Sequence, residues 1–115
     1  MFLFENLDVY QRSLKLAINI CKIANNFSIK FSRLRDQFIG AGISVPLNIA
    51  EGSGRDSQKG KKNFYKISRT SLFELIPILE ICLNLELINK IVYNEFKEEI
   101  ESLSKMLSGL MKSLE

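Results

Sequence analysis

The chain has 115 residues, of which 46% are hydrophobic and 25% are charged, and its formal net charge is +3. This length suits one domain, and the composition is that of a globular protein rather than a disordered or membrane-embedded chain. Because the sequence has no histidine, it excludes imidazole acid–base catalysis, Ser–His and Cys–His nucleophile pairs, and every metal site that uses histidine.

The first predicted helix spans residues 6–26, where apolar residues recur at alternating spacings of three and four. One stripe consists of Leu7, Tyr10, Leu14, Ala17, Cys21 and Ala24. A second stripe beside it consists of Leu16, Ile20, Ile23 and Phe27. Together they form an apolar arc wider than a two-stranded coiled coil requires, so more than one neighbouring helix must cover it.

The second predicted helix spans residues 33–52, with Ser32 as its N-terminal cap. Pro46 lies inside this helix and lacks the amide hydrogen that would bond to the carbonyl of Gly42, so the sequence predicts a kink there. The stretch from Gly52 to Ser57 ends the helix, because its glycines are able to adopt positive φ and Asp56 or Ser57 is able to cap the next helix.

The third predicted helix spans residues 58–87 and contains Pro77, which should bend it, and the fourth spans residues 90–114 and is capped by Asn89. No useful stretch alternates in hydrophobicity with a period of two, and the connections between the helices are short. The predicted fold is therefore all-α, an antiparallel up-down-up-down four-helix bundle in which residues 1–115 form a single domain.

Basic residues are concentrated in residues 53–70, which contain six cations and one acidic residue. Lys59, Lys62, Lys66 and Arg69 share one face of the third helix and, with Arg55 just before it, form a predicted basic stripe. Such a stripe suits the phosphate backbone of RNA or DNA, and contacts of this kind read no base sequence. The alternative is a solvated face that keeps the protein soluble.

Polar residues also occupy positions that face other helices. Gln37, Asn48 and Glu51 share one side of the second helix, with Glu51 near Arg55, and Glu74 stands where the third helix expects an apolar residue. Its position predicts a partnered carboxylate, for example with an arginine of another helix. We interpret Gln37, Asn48, Glu51 and Glu74 as a structural polar network, with a ligand site as the weaker alternative.

Other candidate sites are not supported by the sequence. Cys21 and Cys82 lie in apolar helical patterns without CxxC spacing, so we interpret them as small core residues. The glycine-rich turn does not fit a Walker A loop, because Lys62 stands where the hydroxyl residue belongs. No apolar segment is long enough to span a bilayer. The sequence predicts no catalytic residue, no metal, no cofactor, no membrane association and a cytoplasmic location.

Four segments carry a resemblance to a known family. They are FENLDVY at residues 4–10, DQ at 36–37, SVPLNIAEGSGR at 44–55 and FYKISRTSLFEL at 64–75. Through these segments the sequence resembles the bacterial four-helix-bundle family of 23S rRNA intervening-sequence proteins. It departs from the family pattern at Phe38 and Ile39, where members commonly carry two arginines, and at Thr70, where they carry a glycine.

The resemblance implies a protein without enzyme activity that assembles into a homo-oligomer, with a pentameric ring as the first expectation. A related branch, the accessory proteins of diversity-generating retroelements, binds nucleic acid through a basic surface, which implies RNA or DNA as a partner of the basic stripe. A structural module that binds protein instead is the alternative. The two differ in whether the stripe faces outward or pairs with acidic residues of a neighbouring copy, such as Glu95, Glu98 and Glu99.

Overall fold

The computed structural model of the chain describes residues 2–115. Its four α-helices are α1 (Asp8–Ala24), α2 (Ser32–Ser53), α3 (Gln58–Asn84) and α4 (Lys90–Lys112). Short 3-10 turns precede α1 at Leu3–Asn6 and α2 at Ile29–Phe31. Residues 2–115 contain no β-strand, which confirms the predicted all-α class.

The four helices form a closed square in cross-section. Each helix packs against the next one in the chain, α4 packs back against α1, and among the described residues the backbones of diagonally opposite helices do not approach closely. Lys62 near the start of α3 pairs with Glu115 just beyond the end of α4, so these neighbours are antiparallel. The particle measures 43 × 22 × 21 Å, and the predicted four-helix bundle is confirmed.

An aromatic cluster fills the core near the α1–α2 connection. The fully buried ring of Phe38 stacks on Phe27 and meets Phe96 edge-on, with ring centroids 6.2 Å apart in both pairs. Phe38 is one of the two residues at which the sequence departs from the arginines common in the family that it resembles. At this position the side chain contributes apolar burial to the core, because no part of it reaches solvent.

Two glycines let α2 approach its neighbours closely. A Cβ atom added at Gly42 would lie 2.9 Å from Cδ1 of Ile20 in α1, and one added at Gly52 would lie 2.9 Å from the ring of Tyr65 in α3. The expectation that glycines of the turn adopt positive φ is wrong, since no described glycine does. Gly52 is required for space instead, because a side chain there would collide with α3.

The predicted capping residues of α3 and α4 are observed as caps, whereas the predicted cap of α2 is not. Ser57 Oγ accepts from the amide of Gly60, and Asn89 Oδ1 accepts from the amide of Val92. Ser32 is the first residue of α2 and already has helical φ and ψ, so it makes no capping bond. The preceding 3-10 turn leads directly into α2 and leaves no extended residue at Ser32, which N-capping requires.

Helix α3 ends three residues earlier than predicted because the chain reverses at Glu86. Its φ is 60°, the only positive φ of a non-glycine among the described residues. The amide of Leu87 donates to the carbonyl of Cys82 at 2.9 Å, and the amide of Glu86 donates to Leu83 at 3.0 Å. This is a Schellman motif with glutamate at the position that glycine usually occupies.

Replacement of Glu86 by glycine should raise the free energy of unfolding by about 1 kcal/mol, because glycine adopts the left-handed conformation without the steric cost that a Cβ imposes. Chemical denaturation measures the change. Glu98→Gly, at an exposed position inside α4, is the matched control and should lower stability by about 1 kcal/mol. Equal destabilisation by both substitutions would contradict the left-handed conformation at Glu86.

Candidate nucleic-acid interface

The α3 part of the predicted basic stripe lies along the side of α3 that borders α4. Lys59 and Lys66 are exposed and have no ion pair or hydrogen bond within residues 2–115. Lys62 Nζ pairs with Glu115 Oε1 at 2.8 Å, and the guanidinium of Arg69 donates to Ser108 Oγ at 3.0 Å. The four cations therefore share one edge of the bundle, and two of them contact α4 or Glu115 beyond its end.

Arg55 does not join this edge. Its guanidinium pairs with Glu51 at 2.5 Å and lies over the ring of Phe64, with 4.6 Å between Cζ and the ring centroid. The expected proximity of Glu51 and Arg55 is therefore confirmed. Because Phe64 faces the α2 side of α3, Arg55 belongs to the α2–α3 connection and the structure separates it from the four lysine and arginine residues of α3.

Helix α4 adds two cations that sequence reasoning missed. The Lys62–Glu115 and Arg69–Ser108 contacts fix the antiparallel register of α3 and α4, and this register places Lys112 beside Lys66 and Lys105 beside the turn after Arg69. Both lysines are exposed, and no ion pair involves either one in the described part of the chain. We define the basic face as the six residues Lys59, Lys62, Lys66, Arg69, Lys105 and Lys112.

Two acidic residues of α4, Glu95 and Glu99, lie on the side of the helix that faces α1 and do not pair with this face. Glu99 turns toward α1, where it forms a bidentate ion pair with Arg12, whose guanidinium also donates to Ser102 Oγ at 2.9 Å. The hydrogen bond to Glu99 raises the pKa of Arg12. Glu95 lines the same α1–α4 cleft. The expected arginine–carboxylate pair between helices thus exists, but Glu99 forms it and Glu74 does not.

A smaller polar network than predicted connects α2 and α3. The Ser71 hydroxyl donates to Ser44 Oγ at 2.8 Å, and the Asn48 amide donates to both the hydroxyl and the carbonyl of Ser44, at 2.9 and 2.8 Å. Buried Ser68 donates to the carbonyl of Val45 at 2.8 Å, just before Pro46. These bonds tie the proline-containing segment of α2 to α3 and satisfy polar groups that would otherwise be buried without partners.

The other three residues of the predicted polar network lie outside these bonds. Gln37 is exposed at the edge of α2, and Glu51 pairs with Arg55 on the surface. Glu74 is exposed on α3 and has no partner among residues 2–115. Asn48 alone of the four takes part in contacts around the α2–α3 seam, while Ser44, Ser68 and Ser71 supply the remaining groups.

Exposed apolar side chains gather on both sides of α2. Along the α1–α2 edge they form what we define as the α1–α2 patch, Leu14, Ile18, Ile43 and Leu47. Along the side of α3 that borders α2 they form the α2–α3 patch, which consists of Ile81 and Leu85, in one cleft with Leu34 of α2, and of Ile67 about four helical turns earlier. Scattered apolar residues are common on surfaces, but exposed apolar residues that share one side of a helix are candidate contact sites.

A cleft between α1 and α4 has a volume of about 460 Å³ and is lined by lysines, glutamates, one asparagine and apolar residues. No group of three or more Cys, Asp or Glu side chains among the described residues is arranged to hold a metal ion. Burial raises the pKa of the Cys82 thiol to about 11, so this cysteine is protonated and a poor nucleophile at neutral pH.

The fold and the basic face together define a small four-helix bundle that presents a cationic edge. Residues 5–109 match the family model described as 23S rRNA-intervening sequence protein. This match covers most of the chain, and the protein belongs to that family. No curated protein matches the sequence.

A solved structure shares the fold. It is the crystal structure of a protein of unknown function from the S23 ribosomal protein family of Bacteroides thetaiotaomicron. The two chains are 22% identical, the superposition covers 90% of this chain and 95% of that one, and the TM-score is 0.84. Within residues 2–115 no helix is both long enough and apolar enough to cross a membrane.

Thiol labelling should distinguish the two cysteines. Cys21 is half-buried, whereas Cys82 has no exposed surface and at pH 8 has only about one thiolate per thousand molecules, given its pKa of about 11. A disulfide reagent should therefore label one thiol in the folded protein and the second only in denaturant. A folded Cys21→Ser variant should show no rapid labelling, because only Cys82 remains. Rapid labelling of that variant would contradict the burial of Cys82.

Proposed function

We propose that this protein is a non-enzymatic, ring-forming assembly protein that binds nucleic acid through the basic face without reading base sequence. The observation that carries the proposal is the convergence of six cations from α3 and α4 on one edge, four of which, Lys59, Lys66, Lys105 and Lys112, lack a partner in the described structure. Unpaired, exposed cations are available to phosphates, and their binding releases condensed counterions. The proposed place of action is the cytoplasm.

The two apolar patches support a homo-oligomeric ring. A cyclic ring needs two different contact faces on each copy, since each subunit joins its neighbours head to tail. The α1–α2 patch and the α2–α3 patch occupy adjacent sides of the square bundle, about 90° apart. Two contact faces must be about 90° apart in a ring of four and about 108° apart in a ring of five. This geometry supports a small ring of four or five copies, and the family resemblance makes five copies our proposal.

The same arrangement determines where the basic face would lie. With contacts on both sides of α2, helix α2 points toward the ring axis and α4, diagonally opposite, points outward. The basic face between α3 and α4 then lies on the outer circumference and repeats in every subunit. Repeated weak phosphate contacts on one assembly strengthen binding through multivalency. A ring with this orientation presents its cations to nucleic acid while its apolar patches are covered.

The double substitution Lys62→Glu and Lys66→Glu should abolish binding to RNA and DNA at low salt, because it reverses two charges at the centre of the basic face. The matched control is Lys15→Glu with Lys22→Glu, which changes the net charge equally at two exposed lysines of the α1–α4 cleft, away from the basic face. Fluorescence polarisation with labelled RNA and DNA should show retained binding for the control. Equal loss in both variants would mean that only net charge matters.

Wild-type binding to duplex RNA and DNA should fall steeply with salt and differ little between base sequences. If the wild-type protein binds neither RNA nor DNA at about 10 μM in low salt, within the range typical of non-specific binding, the nucleic-acid function is wrong. The protein would then be a module that assembles with protein alone.

Leu47→Arg should reduce the oligomer to smaller species, because it puts a charge into the α1–α2 patch, where Leu47 is 63% exposed in the single chain. Ile91→Arg is the control, since Ile91 is 69% exposed at the start of α4, away from both patches. Light scattering should give the wild type and the control a mass about five times the 13.2 kDa of one chain. A stable wild-type monomer at micromolar concentration would contradict the ring.

A further inference from the structure

A second feature of the α3–α4 edge is an apolar cleft that continues from the basic face. It has a volume of about 370 Å³ and is lined by Phe73, Ile76, Ile100, Ser104 and the charged residues Lys97, Glu101 and Lys105. Phe73 follows Arg69 by one helical turn and Lys66 by two, so the aromatic ring and the cations lie in one line along α3. Lys105 belongs to both the basic face and the cleft.

Phe73 is exposed in a way that core packing does not explain. Its side chain is 58% exposed, although it is the largest apolar residue on this side of α3. The ring makes no aromatic contact within the described residues. An exposed aromatic ring beside a line of cations is the arrangement that single-stranded nucleic acids use, with phosphates on the cations and a base stacked on the ring.

Two polar groups in the cleft have no partner within residues 2–115. The hydroxyl of Ser104 is buried without a hydrogen bond, and the exposed carboxylate of Glu101 forms no ion pair. A carboxylate repels phosphate, so a strand must place its phosphates on the flanking lysines and its base toward Glu101. Such a carboxylate accepts hydrogen bonds from the exocyclic amino group of cytosine. Uracil offers a single N–H between two carbonyl oxygens, which repel a carboxylate.

We propose that the cleft holds one unpaired base, stacked on Phe73 and hydrogen-bonded through its exocyclic amino group to Glu101, while adjacent cations of the basic face hold the flanking phosphates. The inference rests on the proposed nucleic-acid function and specifies its ligand as a single strand. A base within a duplex is stacked and paired, so it offers neither a free face to Phe73 nor a free amino edge to Glu101. Duplexes therefore contact only the cations.

The test compares labelled oligocytidylate and oligouridylate of about 12 nucleotides, and a duplex of the same length, by fluorescence polarisation at low salt. Wild-type protein should bind oligocytidylate several-fold more tightly than oligouridylate. Phe73→Ala should weaken binding to oligocytidylate about tenfold and leave duplex binding unchanged, because stacking is lost while the cations remain. Glu101→Gln should reduce the preference for cytosine over uracil, since the neutral amide no longer repels uracil's carbonyls.

Phe2→Ala is the matched control, because Phe2 is 70% exposed and lies in the segment next to α1 and α2, away from the basic face. It should leave all three affinities unchanged. If Phe73→Ala binds single strands as tightly as the wild type, the base site is wrong while the proposed function stands. If the wild type binds no nucleic acid, the proposed function itself fails. Circular dichroism of each variant should show unchanged helicity, since both phenylalanines lie outside the core.

Discussion

The close approach of α2 to both of its neighbours is the constraint on which the other features depend. Gly42 admits Ile20, and Gly52 admits the ring of Tyr65, so no side chain separates the helices at these two points. Only at this distance do the hydroxyls of Ser68 and Ser71 reach α2 and bond to the segment around Pro46. These bonds determine the register of α3 against α2. Because the connection from α3 to α4 is short, they also limit where α4 lies against α3.

Charge in this bundle is sorted by helix side rather than by segment. Residues 71–115 are acidic in sum, yet Glu99 turns to Arg12 in α1 while Lys105 and Lys112 turn to α3. An ion pair of partly exposed groups adds little to stability by itself, and this one joins Glu99 to the α1 side of the bundle. The cationic edge is thus a consequence of helix packing, and the net charge of a segment does not reveal it.

The helices and their order could be predicted because apolar spacing and capping residues are local signals, and Ser57 and Asn89 cap the helices that their positions suggested. What could not be predicted depends on contacts between helices. Glu74 occupies a position in an apolar stripe of α3, yet its side chain is exposed. This part of the stripe lies on the outer side of α3 and does not face the core. Lys105 and Lys112 are two helical turns apart, but only the register against Lys62 and Arg69 joins them to the basic stripe.

The seam between α1 and α4 carries information about how the chain folds. The other three helix pairs are joined by short connections, so each forms from residues close in sequence. The Arg12–Glu99 bond instead joins residues 87 positions apart, and contacts of such separation carry the largest loss of chain entropy before they form. Folding that proceeds through the three helical hairpins, with α1 and α4 closing last, is the order that this topology favours. The cleft between α1 and α4 lies on this same seam, where we expect local unfolding to begin.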